Sequence, residues 1–334
     1  MAAKASAKMS KKDTVTNVPE PVGARGVTGP KGSKRKLAVA APVEPPPKQL
    51  TLEERWASLQ ERLLKAEPEF QRAYQESLDM SWIYHDSALE GSVYTPIELR
   101  SAVDRIDASG GGAGGAGGGA IGFAPPGNAG SAMGGMPIGG GGNDSSMQPA
   151  CEEIRRHREA LNFIRDYAPK KRQPINLDVV KKIYLILHPE EGDIKTVRYR
   201  KDIPQHRLYF HEYAPPDKIT YKVRQIVDWL NDPETRRTRN AVRLAARAHY
   251  DLLRVFPFAN DSGKVARLLM NLLLLRSGYP PAIVHSTERQ RYYEALKGSS
   301  AAMMQIVQEA IENNLASIEK MLEAYESRTK LGLK

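Results

Sequence analysis

The segment Phe256-Pro-Phe-Ala-Asn-Asp-Ser-Gly-Lys-Val-Ala-Arg267 is where this chain gathers groups with chemical use. It reads as a polar turn joining two apolar helices. A glycine-containing turn that feeds a helix N-terminus aims backbone N–H groups at one spot, and Lys264 and Arg267, three positions apart, share a helix face just beyond it. Such an arrangement binds anions. Taken alone the signal is weak, because Asp-Ser-Gly also opens many helices for capping reasons. Nor is it a P-loop: Val265 follows Gly263-Lys264 where a Ser or Thr must hold the metal, and Phe258 stands where the first glycine belongs.

The elements that must position this turn are mostly helical. Thr51 and Glu54 form a capping box ahead of Trp56, Leu59 and Leu63, and a second apolar line follows at Phe70, Tyr74 and Leu78. Thr95, Pro96 and Glu98 open another short helix. Apolar residues recur at helical spacing in Ile154, Leu161 and Ile164, in Val179, Ile183 and Ile186, and in Ile219, Val223, Ile226 and Leu230. Asn240 to Val255 is a further helix. Val265 to Leu275 is apolar nearly all round, which predicts a central buried one. Ser299 to Tyr325 presents Met303, Ile306, Ala310, Leu315, Ile318 and Leu322 on one broad face. Thr196 to Tyr213, with Val197, Tyr199, Leu208, Tyr209 and Phe210 around Asp202 to Gln205, predicts a β-hairpin. The fold class is mainly α with one small hairpin.

At its turn the chain resembles the Fic (Fido) domain family, whose signature is His-Pro-Phe-x-(Asp/Glu)-Gly-Asn-Gly-Arg-x-x-Arg. The flanks extend the likeness: Ala248-His-Tyr-Asp-Leu-Leu-Arg-Val255 before the turn, Val265 to Pro281 after it, Arg291-Tyr-Tyr-Glu-Ala-Leu296, and Pro215-Pro216 through Asn231. Upstream, Ser87-Ala-Leu-Glu-Gly91 resembles the inhibitory helix of the class that carries it N-terminal to the core, so Glu90 and Gly91 take the inhibitory positions. The resemblance covers residues 51–108 and 147–326. It implies a fold of about eight helices with a β-hairpin flap and, in active members, transfer of AMP from ATP to a protein hydroxyl. The motif histidine would be the base, the acidic residue would hold Mg²⁺, the Gly-Asn-Gly turn would cradle phosphates, and the flap would dock the target as an added strand. A protein target at the flap and a homodimer are the partners it implies, with ATP and Mg²⁺ as cofactors.

The chain departs from that pattern where the chemistry sits. Phe256 occupies the general-base position, and a phenyl ring neither accepts nor donates a proton. Asn260 replaces the metal-binding acid with a poorer ligand. Asp261 brings a charge and a Cβ to the first glycine position, Ser262 replaces the asparagine, and Lys264 gives up the bidentate fork of an arginine. Pro257, Phe258, Gly263 and Arg267 remain, so the nucleotide-binding set carried over is Asn260, Asp261, Ser262, Gly263, Lys264 and Arg267. The departures count against both cofactors and against a metal site. Asp86 stands where the inhibitory helix has Ser or Thr, and Glu90 and Arg267 are expected to pair across the core. The reading is a catalytically impaired AMP-transferase relative that serves as a regulatory or protein-interaction module. The alternative is an active nucleotidyl or phosphoryl transferase with a non-standard motif, in which Asp261 serves a metal or His206 or His211 serves as base. His249 reads as structural, and His285 has no assigned role.

Composition frames this reading. Residues 1–50 hold ten basic and three acidic side chains, so +7 of the net +10 lies in a basic, Pro-rich tail and the remaining chain is nearly neutral. That distribution argues against a nucleic-acid-binding domain and leaves only the tail to reach nucleic acid or an acidic partner. Between Gly110 and Gly142 lie 17 of the 27 glycines, a composition that predicts a flexible linker; the G-x-G-x-x-G of Gly110, Gly112 and Gly115 within it has no strand before it and no helix after it, and is low complexity rather than a dinucleotide site. The expected organisation is a disordered tail (1–50), N-terminal helices (51–108), linker (109–146), core (147–326) and C-terminal tail (327–334). A single Cys151 excludes a disulfide framework and Cys-rich zinc modules. No apolar run suggests a membrane span or a secretory signal, so a cytoplasmic protein is expected.

Overall fold

The structure, a computed structural model, describes residues 50–109, 148–204 and 212–331. The basic tail, the glycine-rich linker, and His206 and His211 lie outside the described residues.

Local signals set the helix starts. The Thr51 hydroxyl accepts the Glu54 N–H while the Glu54 carboxylate accepts the Thr51 N–H, opening α1 (Leu52–Lys65). Proline at the first position opens α2 (Pro68–Glu90), and Thr95 with Glu98 repeats the reciprocal cap ahead of α3 (Pro96–Ser109). Then come α4 (Gln148–Tyr167), α5 (Leu177–Leu187) capped by Asn176, α6 (Ile219–Asn231), and the short α7 (Pro233–Thr238). The chain continues through α8 (Ala241–Val255), whose Asn240 cap accepts the Val242 N–H, into α9 (Ser262–Arg276), α10 (Arg289–Lys297) and α11 (Ser300–Lys330).

The centre of the molecule is α9, in which every residue from Ser262 to Leu274 is buried. It packs against α8, α4, α5 and α2. A helix apolar on all sides needs such a surround, because any face left in water would forfeit about 25 cal/mol for each Å² of apolar surface. Around this centre, α11 lies on α8, α10 and α1. The seam between α1 and α11 carries two arginine–glutamate pairs, Arg55–Glu319 and Arg62–Glu326, each at 2.9 Å. The C-terminal end of α2 is tied to α10 through the Leu89 carbonyl, which accepts from the Tyr293 hydroxyl and from Arg289 Nε at 3.0 Å. Gly91, at φ 99°, then stops α2 one residue after Glu90, a left-handed turn that glycine adopts without a Cβ penalty.

No strand occurs among the described residues, so the described parts of the expected hairpin, 196–204 and 212–213, are irregular; its middle, 205–211, lies outside them. The physical reason is visible at Arg200, whose N–H donates to the Pro257 carbonyl at 2.9 Å instead of to a facing strand. Its guanidinium also takes the carbonyls of Asp202 and Ala214, one on each arm, at 2.8 and 2.5 Å. The last helix runs to Lys330, past the expected boundary at 326.

Candidate functional site

The loop between α8 and α9 is bracketed by two non-glycine residues in the left-handed region, Phe256 and Asp261, each at φ 49°. Such residues carry roughly 1–2 kcal/mol of backbone strain and persist where their surroundings over-determine them. Phe256 is held from three sides. Its N–H caps α8 through the Leu252 carbonyl at 2.9 Å, its carbonyl accepts Arg200 Nε at 2.6 Å, and its ring, only 3% exposed, lies 5.0 Å from Tyr213. Arg200 also donates to the Val255 carbonyl at 3.1 Å. One buried guanidinium therefore clasps the exit of α8 to both arms of the 200–214 segment.

Within the loop the hydrogen bonds close inward. The Ser262 hydroxyl accepts the Phe258 N–H at 2.8 Å and donates to the Phe258 carbonyl at 3.0 Å, so this hydroxyl is engaged by the loop itself. Phe258 is fully buried and stacks on Tyr184 at 3.9 Å between ring centroids. Gly263 is buried in the first turn of α9, whereas Asn260 is exposed.

Asp261 does not cap α9 with its side chain. Its carboxylate bridges two basic side chains: Oδ1 lies 3.1 Å from Lys264 Nζ and Oδ2 lies 2.9 Å from His188 Nε2. The other ring nitrogen of His188 is 2.9 Å from Glu190. Burial works against the charged form of each member, yet the pairing prevails. Asp261 is held well below the usual carboxylate range by His188 and Lys264, Lys264 is raised by Asp261 and Glu90, and His188 is raised by Asp261 and Glu190.

One turn further along α9, Arg267 faces the C-terminal end of α2. Nη2 is 2.6 Å from Glu90 Oε1 and 3.1 Å from the Asp86 carbonyl, Nε bonds the Asp86 carboxylate, and Nη1 reaches the Tyr292 hydroxyl at 3.2 Å. Asp86 Oδ2 also lies 2.9 Å from His157 Nε2. Burial opposes ionisation of Asp86, but Arg267 and His157 outweigh it and lower its pKa. Beneath this cluster His249 donates to or accepts from Tyr292 at 2.9 Å; complete burial holds the imidazole neutral, with its pKa lowered to about 3.

The structure thus brings Glu90 and Arg267 together and gathers Asp261, Ser262, Gly263 and Lys264 at the start of α9. It also supplies residues that the sequence reading missed, namely Asp86 as a direct partner of Arg267, His188 with Glu190 behind Asp261, and Arg200 behind Phe256. These residues do not fit a divalent metal. Both oxygens of Asp261 are taken by Lys264 and His188, Asn260 offers a neutral amide, and among the described residues no group of three or more His, Cys, Asp or Glu side chains converges as a metal site.

Comparison with known proteins places this geometry. The Fic/DOC family profile matches residues 174–274, which span the 200–214 segment, the loop and nearly all of α9. Protein adenylyltransferase fic-1 of Caenorhabditis elegans is 30% identical over 191 residues, covering 54% of this chain and 37% of that protein. Protein adenylyltransferase Fic of Drosophila melanogaster is 33% identical over 163 residues, covering 46% and 32%. The chain therefore spans about a third of the length of the curated relatives it matches. Among solved structures, a Fic domain containing signaling protein from Bacteroides thetaiotaomicron superposes with a TM-score of 0.58 at 20% identity, over 83% of this chain and 97% of that one. C. elegans Fic-1 (residues 134–508) gives 0.54 at 22% identity, over 83% and 73%. Both likenesses support the helical fold.

Proposed function

We propose, from the Fic/DOC domain matched over residues 174–274 and its likeness to protein adenylyltransferases, that the chain works as a regulatory or protein-interaction module in which nucleotide transfer is lost or severely impaired. The observation that carries this reading is Phe256 at the general-base position, buried and clasped by Arg200. A positioned base contributes about 10²–10⁴ in rate, roughly 3–5 kcal/mol of barrier. Two histidines near the loop offer poor substitutes. His249 is sealed in the core, and His188 has both ring nitrogens engaged, one by Glu190 and one by Asp261, with neither left to take a proton.

The phosphate-facing cations support the same reading, since Lys264 is paired with Asp261, and Arg267 with Asp86 and Glu90. In this proposal the Glu90–Arg267 pair, the counterpart of the family's inhibitory contact, serves to lock α2 onto the core. The segment 196–213, in which a small β-hairpin flap is proposed, offers a partner protein its backbone as an added strand. ATP and Mg²⁺ are not required. The test incubates the purified chain with α-labelled ATP, Mg²⁺ and lysate proteins. No incorporation above that of Arg267→Ala is expected; incorporation that this substitution abolishes would overturn the proposal.

A further inference from the structure

Net charge nearly cancels over the chain beyond residue 50, yet the fold gathers cations at one place, around the C-terminal ends of α4, α7 and α9. The turn after α4 carries Lys170, Lys171 and Arg172, all exposed. Arg276, in the last turn of α9, holds that turn through the Gln173 and Lys170 carbonyls at 2.9 and 3.4 Å. Its guanidinium and the Lys170 ammonium both lie over the Tyr167 ring, 5.2 and 5.9 Å from the centroid. From α7, Arg236 donates to Asn231 Oδ1 at 2.6 Å, and Asn231 donates in turn to the Ile175 carbonyl at 2.6 Å, which fastens the two basic segments together. The Arg239 guanidinium, just past α7, lies 5.7 Å from the centroid of the Trp229 ring. Burial and, behind it, the charge of Arg236 lower the pKa of Arg276, so these cations act on one another. Segments 166–173 and 232–239 with Arg276 hold seven cations and three carboxylates, a net +4, against +3 for everything beyond residue 50. Of those carboxylates, Asp232 caps α7 and Glu234 pairs with Arg237.

Helix C-termini favour cations, which accounts for Arg236 and Arg276, whose guanidiniums donate to carbonyls there. It does not account for Lys171, Arg172 and Arg239. Among the described residues these exposed side chains donate no hydrogen bond and form no ion pair, and like charges packed together repel unless an anion offsets them. The chain has no acidic run of its own to supply that anion: residues 1–49, 110–147, 205–211 and 332–334 hold only Asp13, Glu20, Glu44 and Asp144. We infer that this face binds the phosphodiester backbone of nucleic acid without reading its bases. A strand offers regularly spaced phosphates, which guanidinium forks match, and binding releases the counterions condensed on them. An anionic membrane fits less well, since no large apolar side chain is exposed in these segments to enter it. The patch sits at the opposite end of α9 from the loop, so the inference does not rest on the proposed function.

The test follows the fluorescence anisotropy of labelled oligouridylate and oligodeoxythymidylate, each about 20 nucleotides long so as to exceed one binding site. The full chain is titrated in at pH 7 over about 50–200 mM salt. Lys171→Gln with Arg172→Gln and Arg239→Gln removes three charges that no internal ion pair uses. Lys320→Gln with Arg328→Gln and Lys330→Gln removes three exposed charges from α11 and is the charge-matched control. At the lowest salt the patch variant should bind at least about tenfold more weakly than wild type, and the slope of log K against log salt should shrink by about 2, the loss of three single-strand phosphate contacts. The control should bind as wild type does. Arg172→Gln alone should shrink the slope by about 0.7 and supplies the reading if circular dichroism shows that the triple variant does not fold. A preference for one oligonucleotide over the other would uphold the inference and name the source of the phosphates. Equal losses in patch and control variants, or binding that the patch substitutions leave unchanged, overturn it. So does displacement by polyglutamate as effective as by unlabelled oligonucleotide at equal charge, which would assign the face to an acidic protein, or patch-dependent capture on phosphatidylserine vesicles without oligonucleotide binding.

Discussion

Arg267→Met removes the guanidinium that faces two buried carboxylates, and the structure allows the size of the effect to be ranked against its neighbours. The side chains of Arg267 and Asp86 are each 3% exposed and that of Glu90 is 15% exposed. Removing one partner of a buried ion pair costs about 3–5 kcal/mol, because the other charge is left in a medium that cannot solvate it. Arg267→Met strands Asp86 and Glu90 together and belongs at the upper end, about 5 kcal/mol. Asp86→Asn leaves Glu90 to neutralise the arginine and should cost about 3 kcal/mol. Glu90→Gln keeps an acceptor at a position that water can reach, and should cost about 1–2 kcal/mol. At roughly 2–4 °C per kcal/mol for a fold of this size, Arg267→Met should lower the melting midpoint by about 10–20 °C. The assay is urea unfolding followed by circular dichroism at pH 7. That pH is chosen by sign: the pKa of Asp86 is lowered in the folded state, so its contribution is complete above the ordinary carboxylate range and fades only as pH falls through the lowered value. Glu90→Gln proving more damaging than Arg267→Met, or all three variants falling within about 0.5 kcal/mol of wild type, would refute the idea that Arg267 ties α2 to α9.

Further outcomes follow from the same geometry. His85, which accepts the Ser286 N–H at 3.2 Å and stacks on His285, is lowered by burial and by His285 to about 4, and His249 is lowered to about 3. An unfolded chain protonates both near pH 6.5 while the folded chain resists, so stability should fall as pH drops below 6.5. The expected slope between pH 6 and 5 is about 2–3 kcal/mol per unit; His188, raised in the folded state, acts mainly above that window. Urea midpoints at the two pH values check this, and a flat profile would contradict it. Arg200→Lys keeps the charge but loses the fork that gathers the carbonyls of Asp202, Ala214, Val255 and Phe256; a loss of about 2–4 kcal/mol is expected. Hydrogen exchange at 197–200 and 256–258 should then accelerate more than in α11. ATP with Mg²⁺ should leave the melting temperature of the wild type unchanged, because Lys264 and Arg267 are already paired, and a rise of several degrees would count against that pairing.

The helices were legible because their signals are local. A reciprocal cap such as Thr51 with Glu54 needs only three residues of separation, and the all-round apolar character of α9 reports its central position directly. The Glu90–Arg267 contact was reached only through family resemblance, since no local pattern links positions so far apart. Asp86 was counted as a departure from that pattern, yet a carboxylate there meets Arg267 directly and gives the guanidinium a second anion. Arg200 and His188 were missed because the partners that tie them to the loop, the Val255 and Phe256 carbonyls and the Asp261 carboxylate, lie more than fifty residues away. The His188-Pro-Glu-Glu191 run, a histidine beside acidic residues in a turn, was the available hint for the second. The hairpin expectation rested on Val197, Tyr199, Leu208, Tyr209 and Phe210 around Asp202 to Gln205, and the last three of these apolar residues lie outside the described residues. In the structure the side chains of Val197 and Tyr199 do turn inward, but Arg200 holds the backbone to the loop rather than to a strand.

The central claim is that the loop has lost its chemistry at several positions together, with Phe256 only the first of them. The most direct measurement compares label transfer from α-labelled ATP by two proteins of verified fold. One is the double variant Phe256→His with Glu90→Gly; the other adds Asn260→Asp, Asp261→Gly, Ser262→Asn and Lys264→Arg. The account predicts that the double variant stays silent and that the fuller reversion transfers label. Transfer by the double variant, or silence from the fuller one, would contradict it.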